Sequence, residues 1–166
     1  MDAHDDLRRI ALQEERLQFD VFDAGAAWEV GLALKAVGDA GKHPIIVDIR
    51  LHSMPLLSFA LPGSAPDNFD WARRKRNVVF RFQRSSYAIG LKLALEGKTL
   101  ADLGALPERD YATHGGSVPI IVKGTGCVGA VTVSGLPQRD DHMLVVSVLQ
   151  DYLHLTGENL ALDPAE

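Results

Sequence analysis

Six of the 17 basic residues fall within 12 positions: Arg73-Arg74-Lys75-Arg76, then Arg81 and Arg84. Guanidinium forks match carboxylates and other anions two bonds at a time. The stretch is therefore a candidate clamp for an anionic small molecule. It equally suits an acidic face on a second subunit, or a solvated helix surface with pairing inside the helix. A second candidate is His114-Gly115-Gly116. Paired glycines let backbone approach a ligand or bend tightly. The histidine before them is a ligand group, an acid/base group or a plain loop residue, and Tyr111 lies three residues earlier. A third is the run from Ser134 to His142. Asp140 and Asp141 suit the positive end of a helix that starts there. The alternative places Ser134, Asp141 and His142 at the rim of a pocket beside a sheet. A hydrolytic triad does not follow, because close sequence neighbours at a helix start do not reach the required geometry.

Other patterns are weaker. Gly124-Thr125-Gly126-Cys127-Val128-Gly129 spells G-x-G-x-x-G, which in a dinucleotide site must follow a strand and open a helix. Here Ala130-Val131-Thr132-Val133 follows, which is a strand pattern. A hairpin turn is expected, with Gly129 marking a close backbone approach. Asp48, Arg50 and His52 alternate, so they share one strand face, turned to solvent or to a ligand. The six histidines are scattered without metal-ligand spacing. Cys127 reads as a small packing residue.

Positioning these residues requires a folded domain, and the composition supplies one. Apolar residues make up 46% and charged residues 23%, with a net charge of −5. A single cysteine forms no internal disulfide. No apolar run reaches the ~18 residues of a membrane span, and the acidic start Met1-Asp2-Ala3-His4 does not resemble a signal peptide. A cytoplasmic protein is expected, without nucleic-acid or membrane partners.

The periodicity predicts a helix over 2–16 and an edge strand or extended lead-in over 17–22. A helix follows behind an Asp23 cap, carrying the stripe Ala26, Val30, Leu34 and Val37. Residues 45–50 and 54–61 read as a hairpin. Residues 70–83 read as a helix, and Ser85 caps the next one. Thr99 to Asp102 forms a short capped turn. Residues 118–122 and 128–133 are strands, and a last helix runs to about 155. Residues 156–166 read as a surface tail on a single domain spanning 1–166, with a core of about 17–155. Two hairpins without strict strand–helix alternation give an α+β fold with an antiparallel sheet.

Several segments together resemble a known family. They are Ile45 to Arg50, Ala60-Leu61-Pro62-Gly63 with Pro66-Asp67-Asn68, and Trp71 with Arg74-Lys75 and Asn77-Val78-Val79. They also include His114-Gly115-Gly116 with Pro119-Ile120, Lys123 to Gly126, and Val133 to Gln138 with Asp141-His142. The family consists of short uncharacterised bacterial and fungal proteins. It is similar in turn to the GlcG/HbpS-like group, often labelled haem-degrading or haem-binding. The resemblance spans about residues 17–153. It implies a profilin-like sheet flanked by helices, assembled into homo-oligomers, with haem among the candidate ligands. The chain departs from the broader group after Lys75, where Arg76-Asn77-Val78-Val79 replaces a Lys-Ala-x-Thr-Ala-like helix. It also carries one extra residue between Gly115-Gly116 and Pro119-Ile120.

The expected site lies between the sheet and the 71–84 helix. Its candidate ligand-binding residues are Arg74, Lys75, Asn77, His114, Gly115, Gly116 and Asp141. Arg74, Lys75 or both would meet an anionic group, and His114 is the first candidate for an axial or hydrogen-bonding role. The alternative is an assembly module in which Arg73 to Arg76 face acidic residues of a neighbour. No nucleophile–base pair stands out, so an enzyme ranks third.

Overall fold

A computed structural model describes residues 2–163. Helix α1 (Ala3–Arg16) leads into the two-residue strand β1 (Gln18–Phe19) and helix α2 (Ala24–Ala40). The hairpin of β2 (Ile46–Leu51) and β3 (Pro55–Ala60) follows, then α3 (Pro66–Phe82) and α4 (Ser86–Leu95). A 3-10 turn at Leu100–Asp102 precedes β4 (Ser117–Val122), β5 (Gly126–Ser134) and α5 (Gln138–Tyr152). The strands form one sheet in the order β1-β4-β5-β2-β3. Every pairing is antiparallel except the parallel β1–β4 edge. The fold is thus α+β, with a mixed rather than purely antiparallel sheet.

Strand alternation gives the sheet two unlike faces. Val47, Ile49, Val118, Ile120, Val131 and Val133 belong to one apolar core with Ala27, Val30 and Leu34 of α2 and Val145, Val148 and Leu149 of α5. The opposite face carries Asp48, Ser117, Thr132 and Ser134, all buried, and α3 covers it. Register aligns Asp48, Thr132 and Ser117 across three strands. The Ser117 and Thr132 hydroxyls hydrogen-bond at 2.8 Å. The Asp48–Arg50–His52 side is therefore neither a solvent face nor a ligand wall at its start. Asp48 is sealed beneath α3, paired with Arg76 and, at 3.4 Å, with Arg50.

Local signals account for most boundaries. The Asp23 carboxylate accepts the Ala26 N–H at 2.9 Å, as an N-cap does. The Ser85 hydroxyl does the same for Ala88 at 3.4 Å. Helix α3 begins at Pro66, earlier than its apolar period, because a proline fits the first helical position. The stripe on α2 ends on Gly38, not Val37, which is 42% exposed. Gly38 faces Ile45 and Leu61, whose side-chain ends would have to shift for a larger residue. Gly124 and Gly126 take φ of 73° and 97°, so the G-x-G-x-x-G run is a hairpin turn.

The expected surface tail is corrected. Leu160 and Leu162 are 1% and 7% exposed. Leu160 joins the main core, while Leu162 packs with Ile10, Tyr87 and Ala88. The Gln13 side-chain amide donates to the Leu160 carbonyl at 2.7 Å, and Arg9 donates to the Asn159 carbonyl at 2.8 Å. Burying a leucine side chain contributes about 1.5–3 kcal/mol, which offsets the ordering of this short segment. Residues 164–166 of that expected tail lie outside the described residues.

Candidate functional site

Lys75 lies on the face of α3 that meets the sheet, in a stripe with Ala72, Val78 and Val79. It is 3% exposed. Its ammonium donates to Asp141 Oδ2 at 2.8 Å and, more weakly, to the Val133 carbonyl at 3.4 Å. Asp141, 1% exposed, also accepts the backbone N–H groups of Leu136 at 3.0 Å and Gly135 at 3.4 Å. The carboxylate so closes the loop between β5 and α5. Burial pushes Lys75 down and Asp141 up from their ordinary values, and their mutual attraction only partly offsets it. Both groups are thereby biased toward their neutral forms.

This pair is part of the lining of an open cleft of about 240 Å³, which Asn68, Trp71, His114, Ser134, Gly135, Leu136 and Gln138 complete. The cleft draws on α3, the 114–116 turn, the end of β5 and the start of α5. Gly116 lies behind the pair with φ 123°, and a Cβ there would come within 2.9 Å of Lys75 Nζ. Gly115 presses on the Gln138 backbone, and its N–H donates to the Gln138 side chain at 3.3 Å. The two glycines provide close approach of backbone to backbone.

His114 stands at the wall, exposed, with its ring edge-on to Trp71 at 5.0 Å. Partial desolvation, then the charges of Lys75 and Arg74, lower its pKa below 6.5, so it is neutral at pH 7. Trp71 is anchored by its indole N–H to Asp67 at 3.0 Å. The Trp71–His114 pair also borders a second hollow of about 380 Å³, lined in part by Arg74, Lys98, Glu108 and Tyr111. Arg74 stacks over Trp71 at 4.5 Å and donates to the Glu108 carbonyl at 2.7 Å.

Of the seven sequence candidates, Lys75, His114 and Asp141 line the cleft, and Gly115 and Gly116 shape it from behind. Arg74 belongs to the second hollow. Asn77 points elsewhere and donates to the Asp110 carbonyl at 2.8 Å, holding the loop before His114. Ser134 lies on the lining, but His142 does not. It is 1% exposed, with Nε2 2.8 Å from the Gln13 side-chain oxygen. Burial lowers its pKa to about 3. Asn68, Trp71, Leu136 and Gln138 were missed as site residues. The available signal was Lys75 itself, a lysine inside an apolar helical stripe.

Most of the basic run pairs with carboxylates of its own chain, while Arg74 meets a carbonyl and the Trp71 ring. Arg73 meets Asp70 at 2.9 Å and Asp110 at 3.1 Å, Arg76 meets Asp48, and Arg84 meets Glu14. It is neither a simple solvated face nor a free positive patch. Among the described residues, no group of three or more His, Cys, Asp or Glu is placed to hold a metal ion, and no helix is long and apolar enough to cross a membrane.

A family model described as haem degrading protein HbpS-like matches residues 22–150. The chain belongs to the HbpS-like family. Within it, a UPF0303 protein of Rhizobium etli is 56% identical over 164 residues, 99% of each chain. The crystal structure of the Ybr137w protein superposes with a TM-score of 0.82 at 29% identity, covering 92% of this chain and 90% of that one. A PduOC structure solved as a haem complex superposes with a TM-score of 0.67 at 14% identity, covering 78% of this chain and 93% of that one. At that identity the likeness is one of fold. The HbpS-like match spans β2 through β5 and most of α5, so every residue lining the cleft lies inside it.

Proposed function

We propose that this HbpS-like chain is a small-ligand-binding protein whose ligand occupies the Lys75–Asp141–His114 cleft. One observation carries the reading: a lysine–aspartate pair buried at the floor of an open cleft. A buried ion pair is weak evidence for stability, since apolar residues of similar size do as well or better. Its place beside an imidazole and an aromatic wall fits recognition of a ligand.

Haem is the first ligand to test. A neutral imidazole offers iron a ring nitrogen, and His114 fits that role. Lys75 has spent its charge on Asp141, so Arg74, beyond Trp71, is the better partner for an anionic side group. The cleft, about 240 Å³, falls below the roughly 300–1,000 Å³ of sites that enclose drug-sized ligands. A macrocycle would therefore lie partly outside it. When bound, haem supplies iron for ligand or redox chemistry; the chain's own residues supply the imidazole and the walls.

Titrating haem into the protein at pH 7 is expected to shift the Soret band, and His114→Ala is expected to abolish the shift. Because His114 titrates below 6.5, binding should hold at neutral pH and weaken as the pH falls below that value. No shift, or one that His114→Ala leaves intact, removes haem and His114 from the reading.

Self-association is a second part of the proposal, favoured by a different surface. Trp28 and Leu32, one turn apart on α2, are 54% and 57% exposed. Helix α2 packs on β3, the edge strand of the sheet among the described residues, and edge strands and apolar patches invite a partner. Since the basic run is paired internally, the oligomer should persist at high salt in light scattering. A monomer at both low and high salt would sink this reading.

A further inference from the structure

We propose that Lys75 is an amine nucleophile, able to form an imine with a small aldehyde or ketone held in the cleft. The proposal deepens the ligand-binding reading and rests on it. Three features of geometry carry it. Lys75, though only 3% exposed, belongs to the lining of an open cleft rather than to a closed core. Asp141 Oδ2 stands 2.8 Å away, placed to take its proton. Gly116, behind the pair, carries no Cβ, which would otherwise press on Nζ at 2.9 Å. The remaining walls suit a short carbonyl compound with a polar end. Trp71 and Leu136 are apolar, while Asn68, Ser134 and Gln138 offer hydrogen bonds. Burial, which favours the uncharged amine, acts in the same direction.

The step balances without an oxidant or reductant. Lys75 passes a proton to Asp141, and its nitrogen lone pair bonds to the carbonyl carbon. The carbonyl oxygen takes that proton back from Asp141. A second proton follows from the nitrogen by the same route. The carbon–oxygen bond then breaks and water leaves. What remains is a protonated imine on Lys75 beside the Asp141 carboxylate, so the charge of the pair is unchanged. Both protons of the departing water come from the Lys75 ammonium.

The test is reductive trapping on the folded full-length chain. Glyoxylate and propanal serve as anionic and neutral probes, with cyanoborohydride present and peptide mapping as the readout. Lys75 is expected to be modified about tenfold faster than the exposed Lys35 and Lys92. The preference should vanish in urea, where the cleft is gone. A Lys75→Met/Asp141→Asn double variant, which keeps the volume without the charges, should lose the fast adduct. Modification of Lys75 at or below the rate of Lys35 in the folded protein overturns the proposal. Equilibrium dialysis of the same probes without reductant separates the two readings. A probe retained but never trapped refutes the amine step alone, whereas a probe neither retained nor trapped refutes cleft binding of such ligands as well.

Discussion

Lys75→Met is expected to destabilise the fold by about 3–5 kcal/mol, because it leaves the Asp141 carboxylate buried without its cation. For a chain of this size each kcal/mol moves the midpoint by roughly 2–4 °C, so thermal unfolding should fall by roughly 6–20 °C. The loss should depend on pH, and the sign is fixed. Burial already raises the Asp141 pKa, and removing Lys75 takes away the largest influence holding it down. A raised folded-state pKa means that the folded variant binds protons more readily than the unfolded chain. The penalty is therefore complete above the folded-state pKa and fades as the pH drops toward the unfolded value of about 3.9. Adding Asp141→Asn, which keeps an oxygen acceptor for the Leu136 N–H, should restore much of the stability at neutral pH, since no buried charge is then left alone. A double variant as unstable as the single one would contradict this account of the pair.

Gly116→Ala should be as damaging, by a different route. At φ 123° an L side chain is strained, and the new Cβ would strike the Val133 carbonyl, the Asp141 Cβ at 3.0 Å and the Lys75 ammonium at 2.9 Å. Backbone strain alone costs about 1–3 kcal/mol, and displacing a strand carbonyl and the ion pair adds to it. Gly124→Ala is the control. Gly124 also has positive φ, at 73°, but nothing lies within 4 Å of the added carbon. That change should cost about 1 kcal/mol. Equal losses at the two positions in denaturant unfolding would show that only torsion matters and that the crowding behind the cleft does not.

The fold was legible because its signals are local. Asp23 and Ser85 mark helix starts, the apolar run at 45–47 marks a buried strand, and glycines mark the turn at 124–126. These depend on residues a few positions apart. The parallel pairing of β1 to β4 was not legible, since Gln18 meets Ile121 and no local rule reaches that far. The site divides the same way. His114-Gly115-Gly116 was visible as a chemical group beside flexible backbone. Lys75 and Asp141 were visible separately, one as part of a basic run and the other as a helix-start acid. Their pairing was hidden, because it joins positions 66 apart. Arg74 and Lys75, neighbours in sequence, point into different hollows because a helix turns about 100° per residue.

The bond between Gln13 and the Leu160 carbonyl spans 147 positions. During synthesis α1 leaves the ribosome well before the segment that locks it. At about 5–20 residues per second, the Gln13 amide waits many seconds for its Leu160 acceptor, while Ile10 meets Tyr87 and Ala88 of α4 sooner. The domain closes like a clasp whose two halves are α1 and the 159–162 segment, so this contact orders only after the whole sheet and α5 have been made.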